Sequence, residues 1–386
     1  DSKFDWSTGA WNQVFRVHPE WQGRVIADLN FELPAHAHNT QDAIRSTYES
    51  ADFLKHFCEN ITVPKEAYPD GLTVLAPIET WSDDFSIAIS GIPSTVNDFS
   101  AGPFMETHYH SQYDNEEFYQ EAVYRFHHEL YTRLLVTLDQ LTLPPLDFSR
   151  HFLAMKSSVA DCLAAQSNAP AEVLEEIPAL LESISKVCES ADLLYEKIQE
   201  INNHTVSADF PMVSGLSSKL LHIFRKMQDW QDAVCFPHAA ASQNLCHLEQ
   251  AVHALESQNI TAALEALYEV DNNCYAFLFD EEVYYHFTEY ILHQPKDRLM
   301  WGAGRILHHE NLYGLVQRLK ELDQMAIPGS LDVEIRRLEA AIRRQQAYLK
   351  DDLHYMKQSV DKIQALINDC LETSSHYNKE KNGENQ

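Results

Sequence analysis

Three residues with side chains that hold metals or polarise carbonyl groups lie in the first third of the sequence. Asp28 directly follows the apolar run at residues 25–27, and Tyr109 and His110 are adjacent further along. A carboxylate just past a buried strand lies where α/β proteins place ligands, imidazole is a common metal ligand, and a phenol can donate to a developing oxyanion. Taken singly, Asp28 is better explained as a turn or helix-cap residue, and a single histidine is more often not a ligand.

A second polar segment covers residues 82–94. Ser82 is followed by Asp83 and Asp84, and either aspartate could cap a short helix. Gly91 is placed to end that helix before the next strand. Considered alone, this segment is explained by its structural role.

In this order, the segments resemble the co-catalytic zinc peptidases, most closely the glutamate carboxypeptidase II and transferrin receptor group. That family has an Asp ligand at a strand end, a Ser-Asp segment leading to Gly-Ile-Pro, and a Tyr-His-Ser-x-Tyr motif. The matching residues are Ala27, Asp28, Ser82, Asp83, Gly91, Ile92, Pro93, Tyr109, His110, Ser111, Tyr113 and Asp114. The resemblance covers most of residues 10–150 and about 295–320, where Trp301 and Gly302 begin a glycine-containing loop.

The resemblance implies a fold of α/β plus all-α class. Residues 1–145 would form the C-terminal half of a zinc-peptidase domain with a partial parallel or mixed sheet. Residues 146–375 would form a large helical domain of the transferrin receptor-like dimerisation type. Residues 376–386 are expected to be a disordered tail.

The resemblance also implies a reaction, which is hydrolysis of peptide bonds by an exopeptidase with two zinc ions. Zinc lowers the pKa of a bound water and polarises the scissile carbonyl. By this resemblance Asp28 would hold one zinc ion, His110 the other, and Tyr109 would donate to the oxyanion. The residues expected to contact the peptide substrate are Ser82, Asp83, Trp301 and Gly302.

One departure from the family pattern affects the expected activity. The family uses a further His, a bridging Asp and a Glu-Glu pair before the position of Asp28, and residues 1–27 contain no Glu-Glu pair. Of the ligand set, only Asp28 and His110 are matched. We therefore expect this chain to be a C-terminal portion that is inactive alone, and the missing half of the catalytic domain is an expected partner. The sequence leaves aminopeptidase and carboxypeptidase action both open.

Apolar periodicity gives a coarse list of elements. Most of the chain after residue 146 is predicted to be helical, and the last helix has a seam of apolar residues that Gln345 interrupts. That helix could pack within its own bundle or form a homodimer contact. The predicted strands are residues 24–27, 72–75 and 92–96, and the predicted helices include 40–59, 116–141 and 331–373.

Other histidines have weaker functional signals. His36 and His38 follow Pro34 in a loop and could support the site or touch substrate. The pairs at 127–128 and 308–309 lie in helical sequence and are predicted to be surface residues.

Composition limits the partners of this chain of 386 residues. The formal net charge of −29 argues against nucleic acid and against an anionic membrane surface. The 7 cysteines include no Cys-x-x-Cys pair, which favours reduced thiols and a cytoplasmic rather than a secreted location. Two alternatives to the peptidase remain, namely a non-catalytic transferrin receptor-like interaction scaffold and a helical scaffold with a small α/β appendage.

Overall fold

The computed structural model describes residues 8–79, 82–98, 103–166, 169–203, 210–228, 236–272, 277–293, 308–324 and 329–383. The described chain is mostly helical and has one mixed sheet of four strands. It divides into two compact units. The sheet unit comprises described residues among 7–153, 186–229 and 362–386, and the helical unit comprises those among 154–185 and 230–361. The sequence division at 145 and 146 stays a prediction.

The sheet has the order β1-β4-β2-β3. Its strands are β1 (Asp28–Asn30), β2 (Gln41–Ser46), β3 (Gly71–Leu75) and β4 (Ser94–Asn97). β1 pairs with β4 and β2 with β3 in parallel, whereas β2 and β4 are antiparallel. The sheet is therefore mixed. Predicted strands at 72–75 and 92–96 are confirmed within two residues. The predicted strand at 24–27 is wrong, because the strand begins at Asp28, so Asp28 is the first residue of β1 and does not follow a strand.

Helices of the sheet unit include α1 to α5 and α9, and α6 begins in this unit. Their bounds are α1 (Thr8–Asn12), α2 (Ala51–Cys58), α3 (Asp83–Ala88), α4 (Pro103–Thr107), α5 (Glu121–Asp139), α6 (Phe148–Ala165) and α9 (Phe210–Met227). Glu116–Phe118 is a separate 3₁₀ turn, so the helix predicted over 116–141 begins at Glu121.

The predicted helix at 40–59 is wrong in its first half, because residues 41–46 form β2. β2 lies between β3 and β4, and Asp42, Ala43 and Ile44 are all buried. A strand covered on both faces lacks the alternation of polar and apolar residues that would identify it. The second half of the prediction is confirmed by α2.

The core of the sheet unit lies between the sheet and α5. Phe31, just after β1, contacts Tyr131 of α5 with ring centroids 4.5 Å apart.

His127 of α5 is buried, contrary to the surface position predicted for it, whereas His128 is exposed as predicted. His127 Nε2 lies 3.3 Å from both carboxylate oxygens of Asp42, and its Nδ1 lies 2.9 Å from the Pro34 carbonyl oxygen. This pair ties α5 to β2 and to the loop after β1.

Gly91 ends the segment after α3 in a backbone conformation that disfavours other residues. Its φ is +98°, and a Cβ there would lie 2.7 Å from both Cβ and Cγ of Arg225 on α9. Glycine is thus required both by the backbone and by the close approach of α9.

Gly91→Ala is expected to destabilise the protein by about 1–3 kcal/mol, because the left-handed backbone and the contact with Arg225 both resist a methyl group. Urea unfolding would measure the change. Gly215→Ala in α9 is the matched control, since a Cβ at Gly215 meets no described atom within 4 Å. The control should be neutral or stabilising by up to about 1 kcal/mol. Equal effects at the two positions would contradict this account.

The helical unit is built from α7, α10 to α14 and parts of α6, α8 and α15. Their bounds are α7 (Ala171–Leu174), α8 (Ile177–Asn203), α10 (Pro237–Glu256), α11 (Ile260–Tyr268), α12 (Glu281–Tyr284), α13 (Tyr290–Leu292), α14 (Tyr313–Asp323) and α15 (Asp332–Gly383). A π-helical turn, Tyr285–Glu289, joins α12 to α13. Leu248, Leu267, Val316 and Leu338 are among the residues of a shared core.

The final helix is longer than predicted. It continues to Gly383, through most of the segment expected to be a disordered tail. Residues such as Lys379 and Glu380 have good helix propensity, so the polar composition alone was a poor indicator of disorder. No helix in the described part of the chain is both long and apolar enough to span a membrane.

Gln345 interrupts the apolar seam of α15 for a structural reason. Its side chain is fully buried, and its Nε2 donates to the His308 carbonyl oxygen at 2.7 Å and to Glu310 Oε1 at 3.0 Å. Asn244 donates to Gln345 Oε1 at 3.3 Å, and Arg344 pairs with Glu310 at 2.6 Å. The amide is therefore used as both donor and acceptor, as a buried polar group requires.

His309 belongs to the same polar region, so its predicted surface position is wrong. Its Nδ1 lies 2.7 Å from Asp271 Oδ2, and its Nε2 lies 2.9 Å from Glu289 Oε1. Burial opposes protonation, but the hydrogen bonds and charges of the two carboxylates outweigh it and raise the pKa of His309. Neighbouring His308 is also largely buried and lies 2.6 Å from Asp352.

Gln345→Leu is expected to cost about 1–3 kcal/mol in the free energy of unfolding, because Asn244 and Glu310 lose a buried partner. Urea unfolding of the two proteins measures this. Gln358→Leu, at an exposed position of the same helix, should change stability by no more than about 0.5 kcal/mol. A stabilised Gln345→Leu protein would contradict the assigned role of the network.

Candidate functional site

Polar and apolar residues alternate along β1 and the two residues that follow it. Asp28, Asn30 and Glu32 occupy every second position, so in extended chain they share one face. Leu29 and Phe31 point the other way and pack on the core beneath α5. The alternation therefore sends the polar groups toward α3 and the apolar groups toward the core.

Asp84 of α3 meets this polar face. Asn30 Nδ2 donates to Asp84 Oδ1 at 3.4 Å and to Glu32 Oε1 at 2.8 Å. The Ser82 hydroxyl also donates to Asp84 Oδ1. Asp84 is 0% exposed, and its second oxygen, Oδ2, finds no hydrogen-bond partner among the described residues.

Asp28 also has one buried carboxylate oxygen without a described hydrogen-bond partner. Its Oδ2 is shielded from solvent and has no hydrogen-bond partner in the described part of the chain. Burial, followed by the negative charge of Asp84, raises the pKa of Asp28 to about 7. Burial likewise raises the pKa of Asp84 to about 6, despite the opposing hydrogen bonds from Ser82 and Asn30. Two neighbouring carboxyl groups thus resist ionisation in the absence of a cation.

Glu32 is held in place through its backbone. Asn97, at the end of β4, accepts a hydrogen bond from the Glu32 amide at 2.8 Å and donates to the Glu32 carbonyl oxygen. Burial raises the pKa of the Glu32 carboxyl, the charge of Asp83 raises it further, and the nearby His110 lowers it. The Glu32 carboxylate also accepts the hydrogen bond from Asn30, so it belongs to the same polar cluster as Asp84.

Tyr109 and His110 lie in tight turns after α4. The amide groups of His108 and Tyr109 both donate to the Phe104 carbonyl oxygen, at 2.9 and 3.0 Å. His110 is exposed, has a φ of +55°, and stacks on Tyr109 with ring centroids 3.8 Å apart. Burial and the charges of Glu32 and Asp83 raise the pKa of Tyr109, so its phenol stays protonated.

Five of the predicted site residues, Asp28, Ser82, Asp83, Tyr109 and His110, belong to the sheet unit. Hydrogen bonds connect Ser82 to Asp84, and Asp84 to Asn30, two residues after Asp28. Asp83 is exposed, while Ser82 is buried and engaged with Asp84. Trp301 and Gly302 lie outside the described residues.

His36 and His38 form a histidine pair close to Phe104. Their ring centroids are 4.0 Å apart, and His36 lies 4.5 Å from the Phe104 ring. Burial and the neighbouring His38 lower the pKa of His36 to about 4. His36 is therefore neutral near pH 7 and packs against Phe104 of α4, whose carbonyl oxygen accepts from the Tyr109 amide.

The side chains of Asp28 and His110 are of types that bind zinc, but they make up only part of a zinc site. Asp28 offers a carboxylate oxygen with no described partner, and His110 offers an exposed imidazole, both of which are usual zinc ligands. Within the described ranges, however, no group of three His, Cys, Asp or Glu side chains is arranged to hold a metal. Further ligands would be needed for a tetrahedral site.

Comparison with known protein-family models and with curated proteins found no match for this chain.

Sequence reasoning missed four residues of this candidate site, namely Asn30, Glu32, Asp84 and Asn97. Asn30 and Glu32 could have been found from the alternation of polar and apolar residues at 28–32. Asn97 offered no such signal, because its role depends on the pairing of β4 with β1. Of the adjacent aspartates, Asp83 was chosen over Asp84, yet Asp84 is the one buried beside Asn30.

Asp28→Asn is expected to change how stability depends on pH. The folded state holds the Asp28 proton up to about pH 7, whereas the unfolded chain loses it near the ordinary value of 3.8. The free energy of unfolding of the wild type therefore falls as pH rises between these values. Near pH 8, Asp28→Asn should be more stable than the wild type by about 1 kcal/mol or more.

Urea unfolding with a metal chelator present, at several pH values, tests this prediction. The stability difference should shrink toward zero as the pH approaches 4. Asp139→Asn at an exposed position of α5 is the control and should show no such trend. A difference that does not vary with pH would contradict the buried position of the carboxyl group.

Proposed function

We propose that this chain is the C-terminal portion of a zinc-dependent exopeptidase. The observation that carries the proposal is the buried Oδ2 atom of Asp28, which finds no hydrogen-bond partner among the described residues. Such an atom is costly unless a ligand or proton satisfies it. Its place on the same face of β1 as Asn30, which donates to both Glu32 and Asp84, supports the resemblance to the zinc peptidases.

Each of these residues would have a separate role in the hydrolysis of a peptide bond. When bound, zinc would lower the pKa of a coordinated water and polarise the scissile carbonyl. Asp28 and His110 would each supply one ligand. Tyr109, whose phenol stays protonated, would donate a hydrogen bond to the carbonyl oxygen as negative charge develops there. Asn97 would keep Glu32 and the end of β1 in a fixed position.

Completion of the site requires donors beyond those that the described residues offer. In this proposal another segment of chain supplies them, so this chain alone does not hydrolyse peptides. Two zinc ions per complete site, peptide substrates, a cytoplasmic location and homodimerisation through the helical domain belong to the same proposal. Ser82, Asp83, Trp301 and Gly302 are its substrate-contacting residues.

A non-catalytic, transferrin receptor-like scaffold is the second candidate. The described residues contain no three-ligand group, which is the observation that favours it. Under this alternative neither Asp28 nor His110 would bind a zinc ion.

Competition titration of this chain with Zn²⁺ against a chromophoric chelator tests the proposal. We expect weak binding, since this chain supplies only one donor, Asp28 or His110, to each of the two zinc ions of the complete site. Asp28→Asn and His110→Ala should each weaken binding by about tenfold or more, because loss of even an outer-shell partner has effects of that order.

Two exposed residues of the sheet unit provide matched controls. Asp139→Asn and His56→Ala remove the same chemical groups at positions away from β1 and should leave the affinity unchanged. Absence of Zn²⁺ binding by the wild-type chain, or binding that neither Asp28→Asn nor His110→Ala weakens, would count against the peptidase and in favour of the scaffold.

A further inference from the structure

Asp84 has no assigned role in the reaction, yet it is the most deeply buried acid of the site. Two side-chain donors, Asn30 Nδ2 and the Ser82 hydroxyl, converge on Oδ1. Its Oδ2 is buried with no hydrogen-bond partner among the described residues. One oxygen is thus fixed in position by the protein, and the other is left available.

The same pattern occurs on the neighbouring Asp28, whose Oδ2 is also buried and lacks a described partner. Asp84 accepts a hydrogen bond from Asn30, which lies two residues after Asp28 on the same face of β1, so both carboxyl groups belong to one polar cluster. Burying two neighbouring carboxylates is unfavourable unless positive charge lies between or beside them. None of the ion pairs formed by Arg or Lys in the described part of the chain involves either residue.

We infer that Asp84 and Asp28 together form a paired-carboxylate subsite for a divalent cation, with Asp84 acting through its Oδ2. This inference rests on the proposed function, because it concerns the cation that Asp28 holds there. It adds to the metal site a residue that the resemblance does not assign. It also separates the roles of two adjacent acids, since Asp83 is exposed and Asp84 is not.

The surroundings of Asp84 suit this role. Asn30 and Ser82 occupy Oδ1 and so fix the direction of the carboxylate, as residues around metal ligands commonly do. Two carboxylates neutralise the charge of a divalent ion, and carboxylate oxygens bind Zn²⁺ as well as harder ions such as Mn²⁺. The chemical class of the ligand is therefore a divalent metal ion rather than an organic cation.

The Zn²⁺ titration can be extended to test Asp84, with Asp139→Asn as a matched control. The control removes the same group from an exposed position of α5. Asp84→Asn is expected to weaken Zn²⁺ binding by about tenfold or more, and Asp139→Asn by less than about twofold. In the wild type and in Asp139→Asn, added Zn²⁺ should also raise the melting temperature, and in Asp84→Asn this rise should be lost.

Folding of the variants is checked by thermal unfolding without metal. Asp84→Asn preserves shape and removes a buried charge, and Asp84→Ser provides a smaller neutral variant with the same expected loss of binding. If the Asp84 variants bind Zn²⁺ like the wild type while Asp28→Asn does not, the paired subsite is wrong and the proposed function stands. If neither Asp28→Asn nor His110→Ala weakens binding, the proposed function itself fails.

Discussion

Burial of the Asp84 carboxylate against the polar face of β1 is the constraint on which the site depends. It brings the first turn of α3 to Asn30 and places a second negative charge beside Asp28. α3 can end where it does because Gly91 has a left-handed backbone and allows Arg225 of α9 to approach closely. Gly91 thus helps to position the carboxylates of Asp84 and Asp28, although it has no side chain of its own.

The other face of β1 supplies the energy that holds this arrangement. Leu29 and Phe31 contribute to the core under α5, and burial of apolar area is the main favourable term in folding. The His127–Asp42 pair adds a directional link, since it also holds the Pro34 carbonyl oxygen in the loop after β1. Polar groups that resist burial are therefore kept in place by apolar packing on the opposite side of the same strand.

The sequence predicted those elements whose secondary structure is determined within a single segment of the chain. The strands at residues 72–75 and 92–96, α5 and the long final helix follow from local periodicity, and Gly91 from its position after a helix. β2 was missed because a strand covered on both faces has no alternation. His127 and His309 were misplaced because their burial depends on carboxylates far away in the chain, Asp42 in one case and Asp271 and Glu289 in the other.

The choice between Asp83 and Asp84 illustrates the same limit at the site. Both residues have the same side chain, and only the direction of the first turn of α3 decides which one is buried. Asn97 is similar, since its hydrogen bonds to Glu32 exist only once β4 has paired with β1. The members of this polar cluster are therefore determined by the geometry of the sheet and of α3, which the sequence motifs do not contain.

Gln345 has a consequence for how related sequences can vary. Its amide satisfies Asn244, Glu310 and the His308 carbonyl oxygen at once, so an apolar residue there would require compensating changes on other helices. Positions 244, 310 and 345 are therefore coupled, and their substitutions should occur together during divergence rather than independently. A change at one of them alone would be tolerated only by a side chain that both donates and accepts hydrogen bonds.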